Sequence, residues 1–245
     1  MIRGWWAVYL REILILKRRL PRLISAWSVS PLLYLIAFGY AMGKEITVYG
    51  HSYLEFLIPG LAAMASMTQS FAIGSEINIA RFYWHIFEEF QAAPISNMAY
   101  VLGEVLAGIT RALLAGIVIL VIGAAFGIVL SYNGFFWLGY LLNSFIFASL
   151  AVGLAMVIKS HADQAMLSSF VITPMAFLGG TFFPLEKLPC WAQRILNLLP
   201  LTRAADAIRA SSFGMTPDLL DYLILLFIGL ISFWFAVSAV DSARD

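Results

Sequence analysis

The sequence predicts an all-α polytopic membrane protein with six transmembrane helices, and three observations carry that prediction. Of 245 residues, 62% are hydrophobic and only 12% are charged, about half the roughly 25% charged share of a soluble domain. Apolar runs near or above the roughly 20 residues that cross a bilayer recur along the chain. Mean hydropathy is +0.88. Three further features are expected around the spans: an N-terminal amphipathic interfacial helix over 1–22, a helical surface segment over 81–96, and an outer segment over 184–217 with two short re-entrant helices. No internal repeat or low-complexity linker divides the chain, so residues 1–245 read as one domain.

Ile2, Trp5, Trp6, Tyr9, Ile13, Leu16 and Leu20 recur at helical spacing, with the basic residues mostly off that stripe. This is the pattern of a helix lying in the membrane interface, with tryptophans at headgroup depth. The alternative is that it forms the charged start of the first span. Either way Arg11, Lys17, Arg18, Arg19 and Arg22 place the N-terminus in the cytoplasm. The scattered charges leave no clean apolar core for a cleavable signal peptide.

The first span is expected over Leu23–Gly43, kinked at Pro31, and Lys44–Ser52 follows as a short outer loop. The second runs from Tyr53 to about Ile79, with Pro59 and Gly60 interrupting its outer part. The third run, about Ala99–Leu130, is long enough to tilt or kink, and Gly123 and Gly127 form a GxxxG that permits close helix contact. The fourth covers about Phe135–Ile158, and Lys159–Gln164 is an inner loop. The fifth runs from Ala165 to about Phe183, ending around Gly179, Gly180 and Pro184. In the outer segment, Trp191, Ile195 and Leu198 or Leu199 line one face of a short helix. Pro200 opens another helix that carries Arg203, Asp206 and Arg209 on its other face. The last span is about Leu219–Val240, and the tail returns to the cytoplasm.

The residues exclude several functions. Net charge is +1, which supports no nucleic-acid partner. One cysteine, Cys190, allows neither an intramolecular disulfide nor a cysteine metal cluster. There is no P-loop, H-E-x-x-H or G-x-S-x-G motif. His51, His85 and His161 fall in separate loops, so no catalytic, cofactor or metal site is expected.

Two groups of residues point to function. Charges inside spans are costly and demand partners. Glu104 and Arg111 are seven apart, hence on one helix face, and Glu76 near the inner end of the second span is a candidate neighbour. A structural contact between helices and a functional polar path are both open. The other group is Arg81–Pro94, RFYWHIFEEFQAAP, where Tyr83, Trp84, His85, Phe87, Glu88, Glu89 and Phe90 combine aromatic and polar surface. A short surface helix of this kind suits the place where an energy-supplying partner acts.

Four stretches in order resemble the permease subunits of type-2 ABC exporters. YLEFLIPGLAAMA (Tyr53–Ala65) resembles their second-span entry. FEEFQAAPIS (Phe87–Ser96) resembles their cytoplasmic coupling helix, with Phe90–Gln91 in place of an aliphatic pair. LGGTFFPLEKLP (Leu178–Pro189) and LLPLTRAADAIR (Leu198–Arg209) resemble the C-terminal signature, with Leu199 where asparagine commonly precedes proline. The resemblance implies a permease subunit in the bacterial inner membrane, both termini cytoplasmic, paired with a second copy of itself. It also implies two separate ABC ATPase subunits, which carry the ATP and Mg that this chain does not bind. The cargo implied is a drug-like or lipid-linked amphipathic molecule. A lipo-oligosaccharide or polysaccharide is the alternative, and an ion- or proton-coupled carrier the reading from another class.

Overall fold

The computed structural model describes residues 4–41 and 47–243. Ile2, Lys44 and the last residues of the tail lie outside them. Among the described residues, five stretches are long and apolar enough to cross a membrane: Trp5–Gly39, Tyr53–Phe82, Asn97–Ala125, Gly134–Val157 and Leu219–Ser242.

Helix α1 spans Trp5–Ala41 without a break, through Pro21 and Pro31. The expected interfacial helix and first span are therefore one continuous helix. A proline removes one backbone donor, and neighbouring elements can compensate for that loss in a membrane helix. The first part of α1 lies close against another long helix, α5 (Asn97–Ala125). A Cβ on Gly103 would sit 2.7 Å from the Val8 Cβ, and the Tyr9 hydroxyl meets Thr110 Oγ1 at 3.0 Å.

Residues 47–52 form a two-residue antiparallel hairpin, β1 (Thr47–Val48) against β2 (His51–Ser52), with Val48 opposite His51. Its turn has Tyr49 at φ 55° and Gly50 at φ 79°, the positive pair that a tight hairpin demands. Ser52 then caps α2 (Tyr53–Phe71) in a capping box with Glu55. This accounts for Glu55 as a helix-start residue. Pro59 and Gly60 do not interrupt α2. The break falls instead at Ala72, before α3 (Ile73–Phe82).

After α3 come α4 (Ile86–Ala92), α5, and α6 (Gly134–Val157), whose start is capped by Asn133. Helix α5 ends at Ala125, short of the expected Leu130, because Gly127 turns the chain at φ 80°. Gly123 packs on Ile58 of α2 while Gly127 meets nothing, so the GxxxG pair does not form a helix seam within the chain. Helix α6 is central. Phe136, Tyr140, Ile146 and Phe147 are fully buried, and the Tyr140 hydroxyl donates to the Ala112 carbonyl. Gly116 leaves room for that ring, since a Cβ there would sit 2.5 Å from the hydroxyl.

The expected fifth span is a broken helical run: α7 (His161–Leu167), a π turn over Ser168–Ile172, and α8 (Thr173–Leu178). Pro174 explains the break. Its ring excludes the carbonyl four residues back, and the turn before it widens until Thr173 N–H reaches the Ser168 carbonyl. The Thr173 hydroxyl donates to the same oxygen at 3.1 Å.

Helix α9 spans Cys190–Leu196, α10 spans Pro200–Ser212 and α11 spans Leu219–Ser242. Trp191, Ile195 and Leu198 are exposed together, the one-sided apolar face expected of α9. Helix α10 instead is drawn into the core, with Leu201, Ala204, Ala205 and Ile208 fully buried.

Candidate functional site: a surface segment over a buried ion cluster

The joint between α3 and α4 is made by one residue. His85 adopts the left-handed conformation, φ 52° and ψ 24°, which non-glycine residues rarely hold. It turns the chain sharply after Tyr83 and Trp84 and starts α4 at a new angle. Its Nδ1 lies 3.3 Å from Glu88 Oε1.

This geometry sorts the seven aromatic and polar residues into two sets. Tyr83, Trp84, His85, Glu88 and Glu89 are exposed. Phe87 and Phe90 are not on that outward face. Phe87 is buried and Phe90 half-buried, their rings 5.5 and 5.3 Å from the Tyr100 ring of α5. Arg81 lies over Phe87 at 5.2 Å and Arg11 over Phe90 at 5.5 Å. The two phenylalanines thus bind α4 to α1, α3 and α5. Arg81 also donates to the Met156 carbonyl at 2.5 Å, and Asn78 to the Ile158 carbonyl at 3.0 Å. Both satisfy carbonyls at the C-terminal end of α6, where donors are short.

Behind this layer is the ion cluster. Arg111 of α5 pairs with Glu76 of α3, joining two of the three charges singled out in the sequence. Glu104 is 1% exposed and takes part in no ion pair among the described residues; its Oε2 has no partner. A fourth member comes from α1. Glu12 is buried, pairs with Arg11, and shares a cavity wall with Glu76, Ala107 and Arg111. Sequence reasoning missed Glu12, although a signal existed. It is the first acidic residue in a basic stretch, and it falls three residues after Tyr9 and four before Leu16, on the apolar stripe rather than off it.

At the other end of the molecule a second buried charge fixes the segment after α8. Arg209 of α10 is 5% exposed. Its guanidinium lies 3.9 Å over the Phe56 ring, donates to the Gly180 carbonyl at 2.7 Å and pairs with Asp206 at 3.3 Å. Burial lowers the Arg209 pKa, and Asp206 opposes that shift. Tyr49 donates to Glu186 Oε2 at 2.5 Å; burial, then this acceptor, raise its phenol. Arg203 ties α10 to Asp221 of α11 at 2.7 Å.

Between these ends, a cleft opens among α1, α2, α5 and α8. Trp27, Tyr34 and Phe177 line it together with Ser30, Thr68 and Gln69. No group of three or more His, Cys, Asp or Glu residues among the described residues is arranged to hold a metal ion.

Comparison with known proteins places these features in context. A family profile described as ABC-2 type transporter matches residues 3–213. Nodulation protein J of Neorhizobium galegae is 33% identical over 224 residues, covering 88% of this chain and 84% of that protein. Nodulation protein J of Rhizobium meliloti (strain 1021) is 32% identical over 218 residues, 86% of this chain and 82% of that protein. The inner membrane transport permease YadH of Escherichia coli (strain K12) is 29% identical over 197 residues, 75% of this chain and 72% of that protein.

Proposed function

The chain belongs to the ABC-2 type transporter family, and from that premise we propose that it is the permease subunit of an ATP-driven exporter in the bacterial inner membrane. Permeases of this family are transport subunits that work with ABC ATPase partners. In our reading two copies of this chain line the pathway and two ATPase subunits bind below, supplying the ATP and Mg. The observation that carries the proposal is the α3–α4 joint. It offers Tyr83, Trp84, His85, Glu88 and Glu89 to solvent on one side, while Phe87 and Phe90 bolt the same helix to the bundle on the other. A push received outside is therefore delivered to α1, α3 and α5 together. Closure of the ATPase dimer would bias the bundle between two packings, the differential contact that a conformational switch requires.

The experiment is co-purification with a candidate P-loop ABC ATPase, followed by transport and ATPase assays. Trp84→Ala removes the outward aromatic anchor and is expected to weaken association by roughly 30-fold, the equivalent of about 2 kcal/mol. Glu88→Lys with Glu89→Lys should lower the association rate and its salt dependence. Phe87→Ala and Phe90→Ala should instead loosen α4 itself, seen as a lower melting temperature of the permease alone. Unchanged association and transport in Trp84→Ala and the double reversal together would remove this segment as the coupling element. A complex containing one permease chain and two ATPases would refute the pair of permeases.

The topology we propose has six crossings with both termini cytoplasmic, the run 161–178 counting as the fifth. Helices α9 and α10 then dip into the outer leaflet, which suits the exposed face of Trp191, Ile195 and Leu198. Cys190 is exposed and should react with a membrane-impermeant maleimide on intact cells. Reaction only after the cytoplasmic side is opened would overturn this orientation.

For cargo we propose an amphipathic, drug-like or lipid-linked molecule. The cleft lined by Trp27, Tyr34 and Phe177 supports this, since its rings offer apolar surface while Ser30, Thr68 and Gln69 offer a few hydrogen bonds, the usual make-up of a ligand pocket. A second copy would close its open side over Val29, Leu33 and Phe170, which are exposed here. Export of a lipo-oligosaccharide remains the alternative cargo, and a substrate-stimulated ATPase screen separates the two.

A further inference from the structure

A cleft lies between the first part of α1 and helices α3, α4 and α5. Three arginines and three glutamates line it: Arg11, Arg19, Arg81, Glu12, Glu76 and Glu104. Most of these charges are already matched. Arg11 pairs with Glu12, Arg111 with Glu76, and Arg81 is taken up by the Met156 carbonyl and the Phe82 and Phe87 rings. Two are left over. Glu104 is almost completely buried with Oε2 bare. Arg19 is exposed and makes no ion pair or side-chain hydrogen bond among the described residues. The cleft thus offers one unmatched carboxylate inside and one unmatched guanidinium where α1 is exposed. Trp84, Ile79 and Ile86 add an apolar flank.

A buried intramembrane carboxyl with one oxygen left bare, as Glu104 has beside Tyr100, is costly and marks a site. Basic pockets between membrane helices on the cytoplasmic side take anionic lipid headgroups, but three glutamates oppose a purely anionic ligand here. We propose that this cleft binds the headgroup of an amine-bearing, zwitterionic phospholipid. Its primary ammonium donates to Glu104 and its phosphate meets Arg19, while an acyl chain follows the flank of Ile79 and Ile86. The lipid comes from the leaflet on the α4 side, which our topology makes the cytoplasmic one; the chemistry of the site does not depend on the exporter reading. Such a lipid would complete the ion cluster directly behind α4.

The test uses the full chain, purified and delipidated in detergent. Bound lipid is counted by native mass spectrometry during titration with phosphatidylethanolamine, phosphatidylcholine or phosphatidylglycerol of matched chains. Phosphatidylethanolamine should bind at least about tenfold better than phosphatidylglycerol, because only it brings a charge-assisted hydrogen bond to Glu104. Phosphatidylcholine, whose quaternary ammonium carries a positive charge but no N–H donor, should fall between. Glu104→Gln should erase the preference, and Arg19→Ala should weaken both phosphatidylethanolamine and phosphatidylglycerol by about two- to fivefold. Equal binding of the three lipids, or an unchanged preference in Glu104→Gln, would overturn the proposal. Displacement by water-soluble glycerophosphoethanolamine at equal concentration would overturn the lipid as its source. Should Glu104→Gln fail to purify, the ranking of lipids on the native chain and the effect of exposed Arg19→Ala decide the matter. Neither outcome depends on ATPase association, so failure here leaves the exporter reading to its own test.

Discussion

Arg111→Ala is expected to lower the melting temperature of the purified permease by about 10 °C. The reason is the company Arg111 keeps. It is the arginine paired with Glu76, in a cluster that already holds Glu12 and the unmatched Glu104. Its side chain is 12% exposed and that of Glu76 28%, so water screens the pair only in part. Removing one partner of a buried ion pair costs about 3–5 kcal/mol, because the other charge is left stranded. For a chain of this size each kcal/mol is worth roughly 2–4 °C. Glu76→Gln should cost less, since the amide oxygen still accepts from Arg111 and one carboxylate leaves the cluster. Arg111→Lys should fall between, keeping the charge while losing the planar fork. A fluorescence-detected melting curve in detergent reads all three. An Arg111→Ala shift under about 2 °C would mean that the pair holds nothing together. In that case α3 and α5 would be joined by packing alone.

The two ends of the chain's logic were legible to different depths. Where an element is defined by a long apolar run with polar ends, the sequence reading and the structure agree closely, as in α6 and α11. Where an element is defined by which side of it faces protein, the reading fails. Lipid and protein core are equally apolar, so hydrophobic periodicity separates them poorly. That is why Phe87 and Phe90 could be read as partner-facing when both pack on Tyr100. It is also why Glu12 went unnoticed on a helix expected to lie at the interface. Local backbone devices were legible in principle. Pro174 announces the π turn, and the Tyr49–Gly50 pair suits a hairpin. The break at Ala72 has only the Gly74–Ser75 pair just beyond it as a signal, and Pro59, which looks like the breaker, is accommodated within α2. Of the ion cluster, the sequence supplied the members Glu76, Glu104 and Arg111 from cost alone, but their pairing required the approach of α3 to α5.

Arg209→Ala should release the segment around α10 while leaving the helix bundle folded. The guanidinium holds three things at once: the Phe56 ring on α2, the Gly180 carbonyl at the end of the broken helix, and Asp206 on its own helix. Its burial is unfavourable by itself, which these contacts offset. Truncation forfeits a charged hydrogen bond of about 1.5–3 kcal/mol and a desolvated cation–π contact of about 2 kcal/mol. It also leaves the Gly180 carbonyl without that donor. Lysine cannot replace it, since one ammonium does not reach a ring, a carbonyl and a carboxylate in a plane. The site is equally sensitive from below. A Cβ on Gly60 would lie 2.5 Å from the Thr181 carbonyl oxygen and 3.0 Å from Arg209 Nη2, so Gly60→Ala must push the same turn away from α2. Hydrogen exchange measured by mass spectrometry separates a local effect from a global one. Amides of 200–212 should lose protection by about two to three orders of magnitude in Arg209→Ala, the equivalent of roughly 3–4 kcal/mol, with those of α6 unchanged. Equal loss in α6 would make Arg209 a part of the global core. Unchanged exchange over 200–212 would mean that α10 is held by Leu201, Ala204 and Ile208 alone, and that the buried charge is dispensable.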